Sequence, residues 1–187
     1  MQPTHVQVTD TTVTPARTLR AAGLYLSRYG WVQGSYFDQA ATVFTPAACI
    51  VGAIAIVCYG GSVEAPAQHF DAPEFGDFEA ALNFLDRYLV GTTARTVGCA
   101  YEFNDAPGRT REGVVNVLEA AADVWELLHV RCPRCGEPVY SRPPTDWHLP
   151  PCWPIPAYSH RDGAPLCPEV GLDGVTPALP VLRDGGA

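Results

Sequence analysis

The sequence predicts a mainly α protein: a compact four- to five-helix domain followed by a small irregular or β module that binds zinc. Three observations carry this reading. Apolar residues recur at helical spacing as far as His129. Beyond His129 proline and glycine become frequent and no amphipathic helix can be drawn. Four of the seven cysteines crowd into residues 132–167. The expected organisation is a flexible N-terminal segment over 1–13, a helical domain over 14–129, the zinc-binding module over 130–170 and a tail over 171–187.

The first helix is expected to start at Thr14, an N-cap residue followed by Pro15 at the first helical position. Leu19, Ala22, Leu26 and Tyr29 form its apolar stripe, and Gly30 stops it. WVQGSYF, residues 31–37, is an aromatic connection. A second helix, from about Pro46 to Val57 with Thr45 as cap, is apolar all round and belongs in the middle of a core. Asp77 is placed to cap a third helix from Phe78 to Val90, with Ala81, Leu82, Leu85 and Leu89 on its face. Residues 97–103 suit helix or strand equally. Asn104 to Gly108 reads as a turn, and Thr110 then caps the longest helix, Arg111 to His129.

RCPRCG, residues 131–136, is the most specific signal in the chain. Two thiolates two residues apart chelate one ion, and a glycine after the second lets the backbone turn beneath it. Zinc suits soft thiolates in a tetrahedral array. A redox pair would sit at a helix N-terminus in a βαβ context, which this region lacks. Two further ligands come from His148, Cys152, His160 and Cys167. His148 and Cys152 are separated by Leu149-Pro150-Pro151, which prevents a helix from presenting both. His160 and Cys167 flank Asp162-Gly163, a hairpin turn that brings two arms together. The preferred set is Cys132, Cys135, His160 and Cys167, with Cys152 in place of His160 as the alternative. A closed four-ligand site is structural; Glu137 and Asp162 offer themselves as catalytic partners only by proximity.

The net charge is -8, with twelve basic and twenty acidic residues. That balance disfavours a grip on phosphate backbones and suits a basic partner. A local set of arginines, Arg131, Arg134, Arg142 and Arg161, stands around the metal segment and keeps a zinc-ribbon regulator of nucleic acid as one alternative. Every basic residue is arginine, as GC-rich codon usage produces. The first sixteen residues lack the basic and apolar regions of a signal peptide. The longest apolar run, residues 47–59, is too short to span a bilayer. A cytoplasmic protein without a membrane segment is expected.

Cys49 falls in the first turn of the expected second helix, where the helix dipole lowers a thiol pKa. With His69 and then Asn104 or Asp105 it follows a Cys-His-Asn order, so a cysteine hydrolase is the other alternative. Its neighbours Ile50 and Val51 favour plain packing. Trp31, Tyr36, Phe37, Tyr101 and Phe103 are able to line a pocket, although such clusters more commonly form core.

TLRAAGLYLSRYGWVQGSYF, ACIVGAIAI and EFNDAPGRTREGVVNVLEAA together resemble an uncharacterised helical family of high-GC bacteria and their phages. The resemblance covers about residues 15–125, and its most specific piece is Asn104-Asp105-x-Pro107-Gly108-Arg109-Thr110. Its recurring elements correspond to Trp31, Cys49, Gly52 and the Asn-Asp turn. Phe103 stands where the family form has tryptophan. The resemblance implies a fold and no named activity. YSHRDGAPLCPEV resembles short histidine- and cysteine-bearing hairpins, which supports pairing His160 with Cys167. The chain therefore reads as a small zinc-containing binding or adaptor protein acting on another protein, rather than as an enzyme.

Overall fold

A computed structural model describes residues 7–9, 12–93, 97–148, 154–171 and 174–183. These hold five α-helices followed by six short strands, so the mainly α expectation stands. The chain divides into a helical unit, residues 13–122, and a second unit made of residues 1–12 and 123–187. No helix among the described residues is long and apolar enough to cross a membrane.

Helix α1 (Pro15–Tyr29) begins and ends as expected. Thr14 Oγ1 accepts the Arg17 N–H at 3.3 Å, and Gly30, at a φ of 104°, donates its own N–H to Leu26. Leu19, Ala22 and Leu26 are buried, whereas Tyr29 at the end of the stripe is exposed. Helix α2 (Ile50–Tyr59) starts four residues later than the sequence suggested. The preceding residues are held in extended pairing. Ala48 bridges to both Trp31 and Phe37, and Pro46 O accepts the Tyr25 hydroxyl at 2.7 Å. Cys49 replaces Thr45 as the cap. The first six residues of α2, Ile50 to Ala55, are all buried, which fits a helix with no polar face.

A 3-10 turn (Pro66–Gln68) leads to α3 (Phe75–Thr92), which starts before Asp77 and so leaves that residue inside its first turn. Phe78, Ala81, Leu85 and Leu89 make its buried face. The undecided stretch resolves as α4 (Ala100–Asp105), for a non-local reason. Asp86 on α3 accepts the Ala100 N–H at 2.6 Å and caps α4 across the fold. Asn104 and Asp105 therefore end a helix, and the turn itself begins at Ala106. Gly108 takes a φ of 77° in that turn. Thr110 Oγ1 then accepts the Gly113 N–H to start α5 (Arg111–His129), as expected.

Asn104 joins these elements. It is fully buried and its carboxamide is saturated. Oδ1 accepts from Trp31 Nε1 at 2.7 Å and from the Ile50 N–H at 3.1 Å. Nδ2 donates to Val32 O at 3.1 Å and to Asp105 Oδ1 at 2.7 Å. Gln33 donates to the Asn104 carbonyl at 2.7 Å. The connection over residues 31–37 is thereby pressed onto the start of α2. At Gly52 an added Cβ would overlap Tyr36 O, so only glycine admits this approach.

In the second unit the strands pair antiparallel: β1 (Val130–Arg131) with β6 (Val181–Leu182), β2 (Val139–Tyr140) with β3 (Ser159–His160), and β4 (Pro168–Gly171) with β5 (Gly174–Pro177). Two of these strands lie in residues assigned from sequence to a tail. Val8, from the segment expected to be a flexible lead-in, is buried and donates its N–H to Pro180 O at 2.7 Å.

Replacing Asn104 by Ala strands three groups, the buried Ile50 N–H and the half-buried Trp31 Nε1 and Val32 O. At about 1–3 kcal/mol each for an unsatisfied group, the loss is about 3 kcal/mol or more. The melting temperature should fall by roughly 10 °C. A thermal melt that leaves the variant within about 2 °C of the parent would remove Asn104 from this role.

Candidate functional site

The turn after β1 presents two thiols. Gly136 N–H donates to Cys132 O, and Cys132 N–H donates to Glu137 O, both at 2.9 Å. Gly136 takes a φ of 74°, the left-handed conformation expected of the glycine in RCPRCG. The register of β2 on β3 sets Val139 opposite His160 and so brings the imidazole beside the thiol turn. Asp162-Gly163 reverses the chain as the sequence suggested. Asp162 Oδ1 accepts the Ala164 N–H, His160 N–H donates to Ala164 O, and Gly163 takes a φ of 87°. The reversal returns Cys167 to the histidine.

One ligand atom from each of Cys132, Cys135, His160 and Cys167 lies within 4.8 Å of all the others. His160 Nε2 stands 3.9 Å from Cys135 Sγ and 3.7 Å from Cys167 Sγ. A tetrahedral ion with bonds of about 2.3 Å to sulfur and 2.0–2.1 Å to nitrogen has S···N edges of roughly 3.6 Å. The spacing suits a single ion. His160 Nδ1 is buried without a hydrogen bond, and the carboxylate nearest to it is Glu137 Oε2 at 3.5 Å. Nε2 faces the sulfurs, and Nδ1 stays on the side of the Glu137 carboxylate.

The electrostatics favour a cation in the middle. Burial raises the Cys132 thiol, but the amides of Cys135, Arg134 and Cys167 donate to its sulfur and outweigh that, leaving its pKa below the ordinary value. Cys167 is pushed up to about 11, chiefly by hydrogen bonding with Cys135 and further by the neighbouring thiols. Three sulfurs this close share too much charge to ionise together without a counter-ion.

The other residues singled out from sequence fare differently. His148 is exposed and pairs with Asp146, and Cys152 lies outside the described residues. Arg131 donates to the carbonyls of Leu127 and Val130, Arg134 to Pro168 O, and Arg142 pairs with Asp123 at 2.8 Å. These three arginines are engaged within their own unit. Arg109 lies over the Phe103 ring at 3.8 Å and donates to Phe103 O, closing the turn after α4.

Cys49 is 5% exposed and its sulfur accepts the Gly52 N–H at 3.3 Å. Burial raises its pKa, and the amides of Gly52 and Val51 offset this only in part. This burial agrees with the packing role favoured from the sequence, and the histidine of the alternative Cys-His-Asn order does not stand beside the thiol. His69 stacks at 5.6 Å on Tyr59, at the opposite end of α2. Of the five aromatics, Tyr36 and Tyr101 line a cavity of about 340 Å³ that also meets Cys49, Gly34 and Asp105. Trp31 is tied to Asn104 instead. Gln33, which donates to the Asn104 and Ala106 carbonyls, carried no signal in the sequence, because a lone glutamine in a loop has no pattern.

In the folded protein Cys49 should therefore react with an aromatic disulfide reagent at neutral pH at least ~10-fold more slowly than a free thiol. Cys49→Ser should leave any fast phase of labelling unchanged. A fast phase that disappears with this substitution would identify an activated thiol.

No curated protein and no solved structure matches the chain. Residues 10–124, more than half of the sequence, match one described family, and the Cys/His cluster lies beyond that match. The chain belongs to the family of unknown function DUF6197.

Proposed function

We propose that this is a small, non-enzymatic binding protein of the cytoplasm. One structural Zn²⁺ on Cys132, Cys135, His160 and Cys167 organises its second unit in the manner of a zinc ribbon, and its surface contacts another protein. The observation that carries the reading is the convergence of three thiols and one imidazole within 4.8 Å. The donor set favours zinc, since thiolates and imidazole are soft to intermediate ligands and four of them fill a tetrahedron. When bound, the ion neutralises the thiolates and cross-links the turn after β1 to the hairpin after β3. Four protein ligands leave no open position for a reacting water, which makes the role structural. The net charge of -8 favours a basic protein partner over duplex nucleic acid. Among the described residues no histidine stands beside Cys49, and His69 lies at the other end of α2, so the hydrolase alternative lacks support.

Metal analysis of the chain as purified should find one zinc per molecule. Cys132→Ser should lose it, and chelation should abolish the near-ultraviolet circular dichroism of the second unit's aromatic residues. Structural zinc contributes folding free energy directly, so the thermal transition should also drop by more than 10 °C, on the order of several kcal/mol. A metal-free protein that melts unchanged would dismiss the site. Cross-linking in the native host addresses the partner: a salt-sensitive protein adduct is expected, and recovery of nucleic acid alone would sink that part of the reading.

A further inference from the structure

The cavity in the helical unit serves neither the metal cluster nor the core, and its walls are built with some care. It is formed by the loop at Gly34–Tyr36, the start of α2 and the end of α4, and all of these residues fall within the family match. Asp105 projects there from the last turn of α4. Its Oδ1 accepts from the Gly34 N–H at 3.0 Å and from Asn104 Nδ2 at 2.7 Å. These two bonds hold the carboxylate in place, and Oδ2 has no hydrogen-bond partner among the described residues. The Tyr36 and Tyr101 rings meet edge to face with centroids 5.9 Å apart, their hydroxyls 3.3 Å from one another.

The chemistry of the lining selects against an anion. The start of α2 would attract one, but the Ile50 N–H already serves Asn104 Oδ1 and the Gly52 N–H already serves Cys49 Sγ. Among the described residues no arginine or histidine lines the cavity, while a carboxylate does. A hard divalent cation fares no better, because it requires about six oxygens, several of them charged, and a single carboxylate is present. A fixed carboxylate beside two phenol rings suits an organic ammonium, through a charge-assisted hydrogen bond and the negative faces of the rings. The volume of about 340 Å³ lies at the small end of ligand cavities, which limits the body of the ligand to about one ring.

We propose that this cavity binds a small primary amine in its ammonium form, with Asp105 as the charge partner and Tyr36 and Tyr101 as the walls for a ring-sized apolar body. The site belongs to the helical unit and is independent of the proposed zinc.

Benzylamine, benzyl alcohol and benzoate are nearly the same size and differ in charge, so they test the proposal without any variant. In an amide-resolved NMR titration of the full chain at pH 7, benzylamine should saturably shift the amides of Gly34, Cys49 and Asp105. Benzyl alcohol should bind at least ~10-fold more weakly, and benzoate should shift none of them. Asp105→Asn keeps an Oδ1 acceptor for Gly34 and Asn104 but removes the charge, and it should weaken benzylamine by about tenfold, the value of one charge-assisted bond. The proposal fails if benzylamine produces no saturable shift at these amides, if benzyl alcohol or benzoate binds as well as benzylamine, or if Asp105→Asn binds it with unchanged affinity.

Discussion

The helical unit depends on one buried carboxamide. Asn104 accepts from an indole and from the first amide of α2, and donates to a loop carbonyl and to its neighbouring carboxylate. An aspartate at this position would lose the donor to Val32 O and bring an uncompensated charge into a site with no exposure. A leucine of similar volume would strand every partner. Only a side chain with both a carbonyl and an amino group satisfies the set. Through it, residues more than seventy positions apart in sequence are fixed in one geometry. The close approach at Gly52, the capping of α2 by Cys49 and the placement of Asp105 all follow from that geometry.

The second unit meets a different constraint. Its strands are two to four residues long, and a two-stranded ribbon alone is marginal in water. Its buried apolar residues, among them Val8, Val130, Val139, Tyr158 and Leu166, form a modest core. The zinc proposed above would substitute for the missing burial, because an ion held by Cys132, Cys135, His160 and Cys167 would tie the turn after β1 to the hairpin after β3 in one step. The polypeptide already has the matching geometry: three amides converge on Cys132, and the imidazole is oriented with Nε2 toward the sulfurs.

The features readable from sequence were those governed by nearby residues. Thr14-Pro15, Gly30 and Thr110 act within four positions of themselves, and each does what its residue type prefers. Gly136 and Asp162-Gly163 are equally local, which is why the Cys/His cluster could be anticipated around them. The errors arose where distant residues decide. Pro46 and Ala47 are good helix formers at a helix start, yet Tyr25 and the 31–37 loop hold that segment extended. Helix α4 is capped by Asp86 from another helix, and its own N-cap residue, Cys99, makes no side-chain cap bond. Asn104 and Asp105 carry the composition of a turn but finish a helix, because the buried amide has long-range partners that outweigh its local preference.

Cys49 and Cys132 show why residue type alone could not assign the chemistry. Both are buried, and burial raises the pKa of each. At Cys132 the turn supplies amides from Cys135 and Arg134 and the hairpin adds that of Cys167, enough to overcome that effect and lower the pKa. At Cys49 the helix start supplies Gly52 and Val51, and the balance stays on the side of the neutral thiol. Nearby, the Ile50 amide is drawn to Asn104 rather than to sulfur. The bond that anchors the helical unit thus also withholds one amide from the Cys49 sulfur, and the cavity beside it is lined by Tyr36 and Tyr101, two of the aromatics from which a pocket was expected.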